Sequence, residues 1–589
     1  MKRVMEVGFT KITELKKQLK KQSVDGYLQP VNDEYMSEYP PASNRRVEWL
    51  CGFSGSAGTL VILKDKAALF TDGRYTLQAV GEIDTSVFET HNSGELAPEA
   101  WIGRHLVGGS VGYDPKLFTP GVVRRMESAL AKKHIALTPV ANPVDAIWHD
   151  RPAAPSSAVA IHELRYAGET SADKRRRIAA QLEKEGADAA IIAAPDAVCW
   201  LLNIRGRDVE STPLVLAPAI IDAGGGVSLF IDPKRCDAPT RAHLGNEVEL
   251  CPPDTLAQHL ASLGAQKKRV LADPAGTPVW FTQMLTASGA TIIEGQDPCL
   301  LPKAMKNAVE LQGIADAHIR DGAAIVKLLH WLEQNASVTE MEISDRLRSF
   351  RAPHPLFVEP SFTTIAGSGP NGAIVHYRVT KESNRKLQQG ELFLLDSGGQ
   401  YPDGTTDITR TIAIGTPRPE HKDRFTRVLK GHIALALIRF PQGTCGSQLD
   451  VLARQYLWQQ GLDYDHGTGH GVGCFLGVHE GPQRISKRGG DAALQPGMIL
   501  SNEPGYYKTG AYGIRIENLV KVVEKGERFL GFETLTCAPL DTRLIEPELL
   551  TAAEKNWLND YHAWVLRSLG ALLAADEKAW LEAACRPVI

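Results

Sequence analysis

Apolar positions along the chain follow two alternating rhythms. Ile12, Leu15 and Leu19 stand at helical spacing among lysines; VDGYL then reads as a strand, and a polar loop leads into RRVEWLCGFSGSAGTLVIL. A second stretch repeats that order: KRRRIAAQLEKEG is helical, ADAAII a strand, and PDAVCWLLNIRG, PLVLAPAII and VSLFIDPKR follow. Asp25 and Trp49 of the first stretch fall into the places of Asp188 and Trp200 in the second, and Phe70-Thr71-Asp72 resembles Phe230-Ile231-Asp232. Two related α/β domains in tandem are expected. NPVDAIWHDRPAAPSS between them, and DPCLLPKAMK near 297–306, have the bias of linkers.

Past 306 the pattern changes. A long helical period runs from Asn307 to about Gln334, and Thr339-Glu340-Met341-Glu342 is a capping box opening another helix. Strand hairpins and glycine-rich loops continue to about 526. Thr551 to Glu554 is a further capping box, leading Trp557, Tyr561, Trp564 and Val565 along one face, a stripe expected to pack on its own domain or on a second copy of the chain. The expected domains are 1–150, 151–305, 306–526 and 527–589.

Composition narrows the partners. Sixty-five basic against sixty-nine acidic residues leave a net charge of -4, so no global field draws the chain to nucleic acid or to an anionic membrane. Nine cysteines without a CxxC pair make neither a disulfide framework nor a zinc knuckle. The first residues lack a continuous apolar core for export, and no run approaches the roughly 18 apolar residues of a membrane span. A cytoplasmic protein is expected.

Candidate chemistry lies between 330 and 530, where acidic residues interrupt strand-like runs. In ELFLLDSGGQYPDGTTDITRTIAIG the turn Tyr401-Pro402-Asp403-Gly404 folds a hairpin; if Asp396 opposes Asp407, its centre falls between 401 and 402 and the two Cβ atoms lie about 5 Å apart. In MILSNEPGYYKTGAYGIRIENLV, Glu503 and Glu517 are symmetric about Gly510. HGTGHGVG adds His466 and His470, four apart on an expected loop. Four carboxylates this close repel one another unless cations lie between them, and only Arg515 and Arg410 are near in sequence. The oxygen-rich set with one nitrogen suits Mn²⁺, Co²⁺, Fe²⁺ or Zn²⁺; four charges suit two ions, which could share a hydroxide and polarise a carbonyl. Gly367 to Gly372 formally reads GxGxxG, but a strand-like AIVHY follows it, and His479-Glu480 lacks the second histidine of HExxH.

At these residues the chain resembles the pita-bread metallopeptidases, specifically the cytosolic three-domain type of Xaa-Pro aminopeptidase. PSFTTIAGSGPNGAIVHY, LLDSGGQYPDGTTDITRT, DHGTGHGVGCFLGVHEGP, SNEPGYY and GIRIEN carry the likeness; WLCGFSGSAG, FTDGRY, CWLLNIRG and DAHIRDGAAIVKLLHWLE extend it outward. The resemblance implies an α/β and α+β multidomain chain: two tandem creatinase-N-like domains, a pita-bread catalytic domain and a helical C-terminal extension. It implies Asp396, Asp407, His470, Glu503 and Glu517 as ligands of two Mn²⁺ ions, with Asp407 and Glu517 bridging and Glu503 also acting as base. His376 and His479 would orient substrate and stabilise charge, His466 would shape a proline pocket, and Arg515 would support Glu517. The implied activity removes an N-terminal residue when proline is second, from short peptides admitted past the leading domains, in a homodimer. Prolidase, metal-free creatinase and non-catalytic descendants of the scaffold are the rivals; tandem leading domains and an intact ligand set argue against them.

Overall fold

The computed structural model describes residues 2–335 and 337–589. It divides into two compact units, Met1–His162 with Glu169–Leu300, and Glu163–Gly168 with Leu301–Ile589.

The first unit contains two six-stranded sheets of one topology. Around the central strand Gly26–Pro30 lie antiparallel Thr59–Leu63 and Ala67–Thr71, then parallel Glu89–Asn92; parallel Ser110–Tyr113 and Ala136–Pro139 extend the other side. Ala189–Ile192, Ala219–Asp222, Val227–Phe230, Val248–Cys251, Arg269–Ala272 and Thr291–Glu294 repeat this order and every strand direction. Both faces of the first sheet are covered: Tyr27, Leu60, Ile62 and Leu69 enter one core, while Leu28, Val61, Ala68 and Phe70 enter the other. Burial on both sides explains why these strands read as unbroken apolar runs.

The copies agree in detail. Asp25 accepts from the backbone N–H of Ser110 at 2.9 Å, and Asp188 from that of Arg269 at 2.7 Å, each tying the start of the central strand to its parallel neighbour. Lys11 donates to the Trp49 carbonyl at 2.6 Å and lies over its ring; Lys174 does the same to Trp200 at 3.0 Å. Carried across the ladders from the aspartates, the registers pair Leu60 with Leu69 and Ala219 with Leu229, then Phe70 with His91 and Phe230 with Cys251. Phe70 and Phe230 are therefore equivalent, as are His91 and Cys251.

The second unit is built on antiparallel ladders. Ile365–Ser368, Leu392–Ser397 and Ile408–Ala413 form one sheet. Arg439–Pro441, Phe529–Thr534, Asn518–Glu524, Ile499–Asn502, Gly469–Gly471 and Glu480–Ile485 form another, and Gly505–Lys508 pairs with Tyr512–Arg515. The helices Ala308–Gln334, Glu340–Arg351 and Ala552–Leu569 begin at observed capping boxes on Asn307, Thr339 and Thr551. Val326, Phe425, Ile514, Tyr561, Val565 and Leu581 share one core, so the aromatic stripe of the last long helix packs inside its own unit. No helix among the described residues is long and apolar enough to cross a membrane.

One register differs from expectation. Tyr401 pairs with Gly404, leaving Pro402-Asp403 as a two-residue turn, and the hairpin is centred one position later, so Asp396 opposes Thr409 and not Asp407. Proline at the first turn position, with its fixed φ, sets that centre. The shift keeps Asp407 two residues from Thr409, so the side-chain period still favours a shared face. The second hairpin is centred on Gly510 as read: Gly505 pairs with Arg515 and Asn502 with Asn518, so the ladders on either side of Glu503 and Glu517 keep one register.

Candidate metal centre

Three of the four carboxylates stand where a strand starts or a ladder is interrupted, and the fourth stands within a strand. Asp396 lies inside Leu392–Ser397, Asp407 just before Ile408, Glu503 between Asn502 and Gly505, and Glu517 between Arg515 and Asn518. His470 occupies the middle of the strand Gly469–Gly471, not a loop. Its flanking glycines make that possible, because a Cβ at 469 would lie 2.0 Å from the Ser501 carbonyl oxygen and one at 471 would lie 2.6 Å from the Glu480 carbonyl oxygen. His466 remains on the loop before this strand, His479 directly precedes Glu480–Ile485, and His376 follows the short turn Gly369–Ala373.

These elements bring all nine predicted residues together. Donor atoms of Asp407, His470 and Glu517 lie within 4.8 Å of one another. His470 Nε2 is 3.6 Å from Asp407 Oδ2 and 3.5 Å from Glu503 Oε1. Its Nδ1 is 3.0 Å from the Gly471 carbonyl, which only accepts, so the ring proton sits there and the Nε2 lone pair faces the carboxylates. Arg515 donates to Asp396 Oδ2 at 2.6 Å, to Thr409 Oγ1 at 3.2 Å and to Tyr507 Oη at 2.5 Å, while Thr409 Oγ1 donates to Glu517 Oε2 at 2.8 Å. Arg515 thus reaches Asp396 directly and Glu517 through Thr409. The His479 ring lies 4.3 Å from that of His470 and 6.5 Å from that of His376, and both His376 and His479 are only half-buried.

Charge in this site is unbalanced. Burial, then Glu517 and Asp396, push Asp407 far above the carboxylate range, and burial, then Glu503 and Asp396, do the same to Glu517. Glu503 is pushed up to about 7 by burial first and Asp396, against the pull of Arg515 and His479. Arg410 gives no relief, because its guanidinium donates to the carbonyls of Thr409, Glu517, Ala538 and Pro539, to Asn518 and to Tyr561. One guanidinium therefore faces four carboxylates, and Asp396 Oδ1 and Asp407 Oδ1 are buried with no hydrogen-bond partner. Orphaned acceptors in an oxygen-rich pocket with one imidazole fit divalent cations.

Several supporting residues escaped the sequence reading. Thr409 was legible once the register was known, since it opposes Asp396. Tyr507 lies within the quoted SNEPGYY; its hydroxyl, which accepts from Arg515, is 2.9 Å from His466 Nε2. Lys303 and Lys306, in a stretch read as linker, are buried and reach Glu480 at 2.5 and 2.9 Å, anchoring the residue after His479.

Residues 312–524 match the model of metallopeptidase family M24; residues 11–147 and 150–310 match two models of the Creatinase/Prolidase N-terminal domain, and 528–588 match the C-terminal region of peptidase M24. The fold and site are thus those of an M24 metallopeptidase. Aminopeptidase P2 of Arabidopsis thaliana is 42% identical over 96% of this chain and 86% of its own. An X-prolyl aminopeptidase structure from Caenorhabditis elegans, described as a cytosolic enzyme with a di-nuclear active site, superposes with a TM-score of 0.94 at 35% identity, covering 99% of this chain and 100% of its own. An Xaa-Pro dipeptidase from Bacillus anthracis shares the fold at 23% identity and TM-score 0.52, over 63% of this chain and 99% of its own. The chain belongs to the aminopeptidase P (Xaa-Pro aminopeptidase) family.

Proposed function

We propose that this chain is a metal-dependent aminopeptidase that hydrolyses the bond between an N-terminal residue and a following proline in short peptides. The observation that carries the reading is the buried meeting of four carboxylates and one imidazole against a single guanidinium, in a chain aligned end to end with aminopeptidase P relatives. We assign Asp396, Asp407, His470, Glu503 and Glu517 as the residues that would hold two divalent ions, Mn²⁺ ahead of Co²⁺, Fe²⁺ or Zn²⁺. When bound, such ions supply Lewis acidity and an acidified water.

The side chains supply the rest. Glu503, its Oε1 3.5 Å from His470 Nε2 and so at the heart of the site, takes a proton from the attacking water and returns it to the leaving nitrogen. His376 and His479 donate to the substrate carbonyl and to the charge that develops on it. His466, flanked by the rings of Tyr464 and Tyr507, walls the space for the proline ring, and Arg515 holds Asp396 and Thr409. A bond to proline offers no N–H and a fixed φ, so recognition rests on such a wall. A homodimer in the cytoplasm completes the proposal.

The test compares release of the first residue from an Xaa-Pro-Xaa tripeptide, an Xaa-Pro dipeptide and an Xaa-Ala control, with and without added Mn²⁺. Metal-dependent cleavage of the tripeptide alone is expected. Cleavage of the dipeptide alone would make the chain a prolidase; equal cleavage of the Xaa-Ala control would remove the proline wall from the argument. Asp407→Ala should lose both bound metal and turnover.

A further inference from the structure

The equivalence of the two leading sheets sets apart a corner of the second. In the first copy the corner is satisfied internally: Trp101 Nε1 donates to Glu89 Oε2 at 2.9 Å, His91 Nε2 is 3.1 Å from the same oxygen, and the Trp101 ring stands edge-on to Phe70 at 5.9 Å. By register, Glu249 stands where Glu89 does and Cys251 where His91 does. The ring edge-on to Phe230, at 5.0 Å, is His259. A corner closed by an indole in one copy thus presents a carboxylate, a thiol and an imidazole in the other.

The geometry of these three is that of ligands. Their donor atoms lie within 4.8 Å of one another. His259 Nδ1 is 3.0 Å from the Thr255 carbonyl, which only accepts, so the proton sits on Nδ1 and the Nε2 lone pair turns toward Cys251 Sγ, 3.7 Å away. Sulfur and nitrogen ligands of a tetrahedral zinc, at about 2.3 and 2.0–2.1 Å from the ion, stand roughly 3.6 Å apart. Glu249 and Cys251 share a strand face, and His259 comes from the helix Leu256–Ala265 four residues beyond the strand, so the set is assembled by local structure. Cys251 is buried and Glu249 exposed, which leaves a fourth position open to water.

We propose that Glu249, Cys251 and His259 form a mononuclear site for a borderline-soft divalent cation, zinc first, separate from the carboxylate centre. As the sulfur–metal bond forms, Cys251 releases its proton to solvent, and the Ser228 hydroxyl, already hydrogen-bonded to this thiol, remains as a donor to the sulfur. The ion then ties an edge strand to the following helix.

Cobalt is the probe. Chelator-stripped full-length protein titrated with Co²⁺ should develop the near-ultraviolet absorption of a cobalt thiolate, saturating at one ion per chain; the carboxylate centre contains no sulfur and is silent in this band. Cys251→Ser should abolish the band and remove one equivalent of metal while Xaa-Pro hydrolysis, which also reports folding, persists. His259→Gln keeps the thiol and should weaken cobalt binding by about 10-fold or more. No band in the wild-type protein, a band that survives Cys251→Ser, or unchanged affinity in His259→Gln would each overturn the proposal.

Discussion

Glu503 shows how much a single carboxyl is asked to tolerate. Its proton is held more tightly in the fold than in the unfolded chain, rising from the ordinary 4.5 to about 7. In the metal-free protein this group therefore costs nothing below its unfolded value, and stability falls as pH climbs through about 7, by about 3 kcal/mol in total. Thermal melts of chelated protein should fall in Tm between about pH 5 and about pH 7, and Glu503→Gln should make that slope shallower, the upward-shifted Asp407 and Glu517 keeping the remainder. A slope unchanged by the substitution would assign the effect elsewhere. Thr409 works through its neighbours: Thr409→Val removes the donor to Glu517 and the acceptor for Arg515 with little change in volume. Turnover or metal affinity should drop about 10-fold, read as kcat together with metal content.

At the scale of elements, the hairpin between Glu503 and Glu517 was readable because its two ladders share a register and Gly510 sits at the tip. The hairpin from Asp396 to Asp407 was read one position out, because composition places a turn and proline's fixed φ chooses its centre. Capping boxes on Asn307, Thr339 and Thr551 were visible as local rules that tertiary packing leaves intact. What the sequence hid was long-range: Lys303 and Lys306 under Glu480, and Arg410 spending its donors on carbonyls, since no local pattern reveals a partner more than a hundred residues away. The strand carrying His470 shows the cost of losing a close approach. In Gly469→Ala a methyl would meet the Ser501 carbonyl at 2.0 Å, pushing apart two strands and moving His470. A stability loss of about 1–3 kcal/mol in denaturant melts, with weaker metal retention, is expected.

Across the whole molecule, every proposed ligand of the carboxylate centre lies in the unit Leu301–Ile589, so chelation should lower the calorimetric transition of that unit. The same unit shows why the polypeptide beyond residue 526 is more than an appendage. Arg410, on the strand next to Asp396, finds two of its carbonyls at Ala538 and Pro539 and its hydroxyl partner at Tyr561. A fragment ending at 526 would take away three of the six acceptors of this guanidinium and open to water the core in which Tyr561, Val565 and Leu581 pack on Ile514, and should fail to give a cooperative melt by circular dichroism. Shorter cousins built without these closing helices must then either plug the gap with other acceptors or have surrendered the arginine, so the identity of that one side chain tells an engineer how far a catalytic fragment can be trimmed.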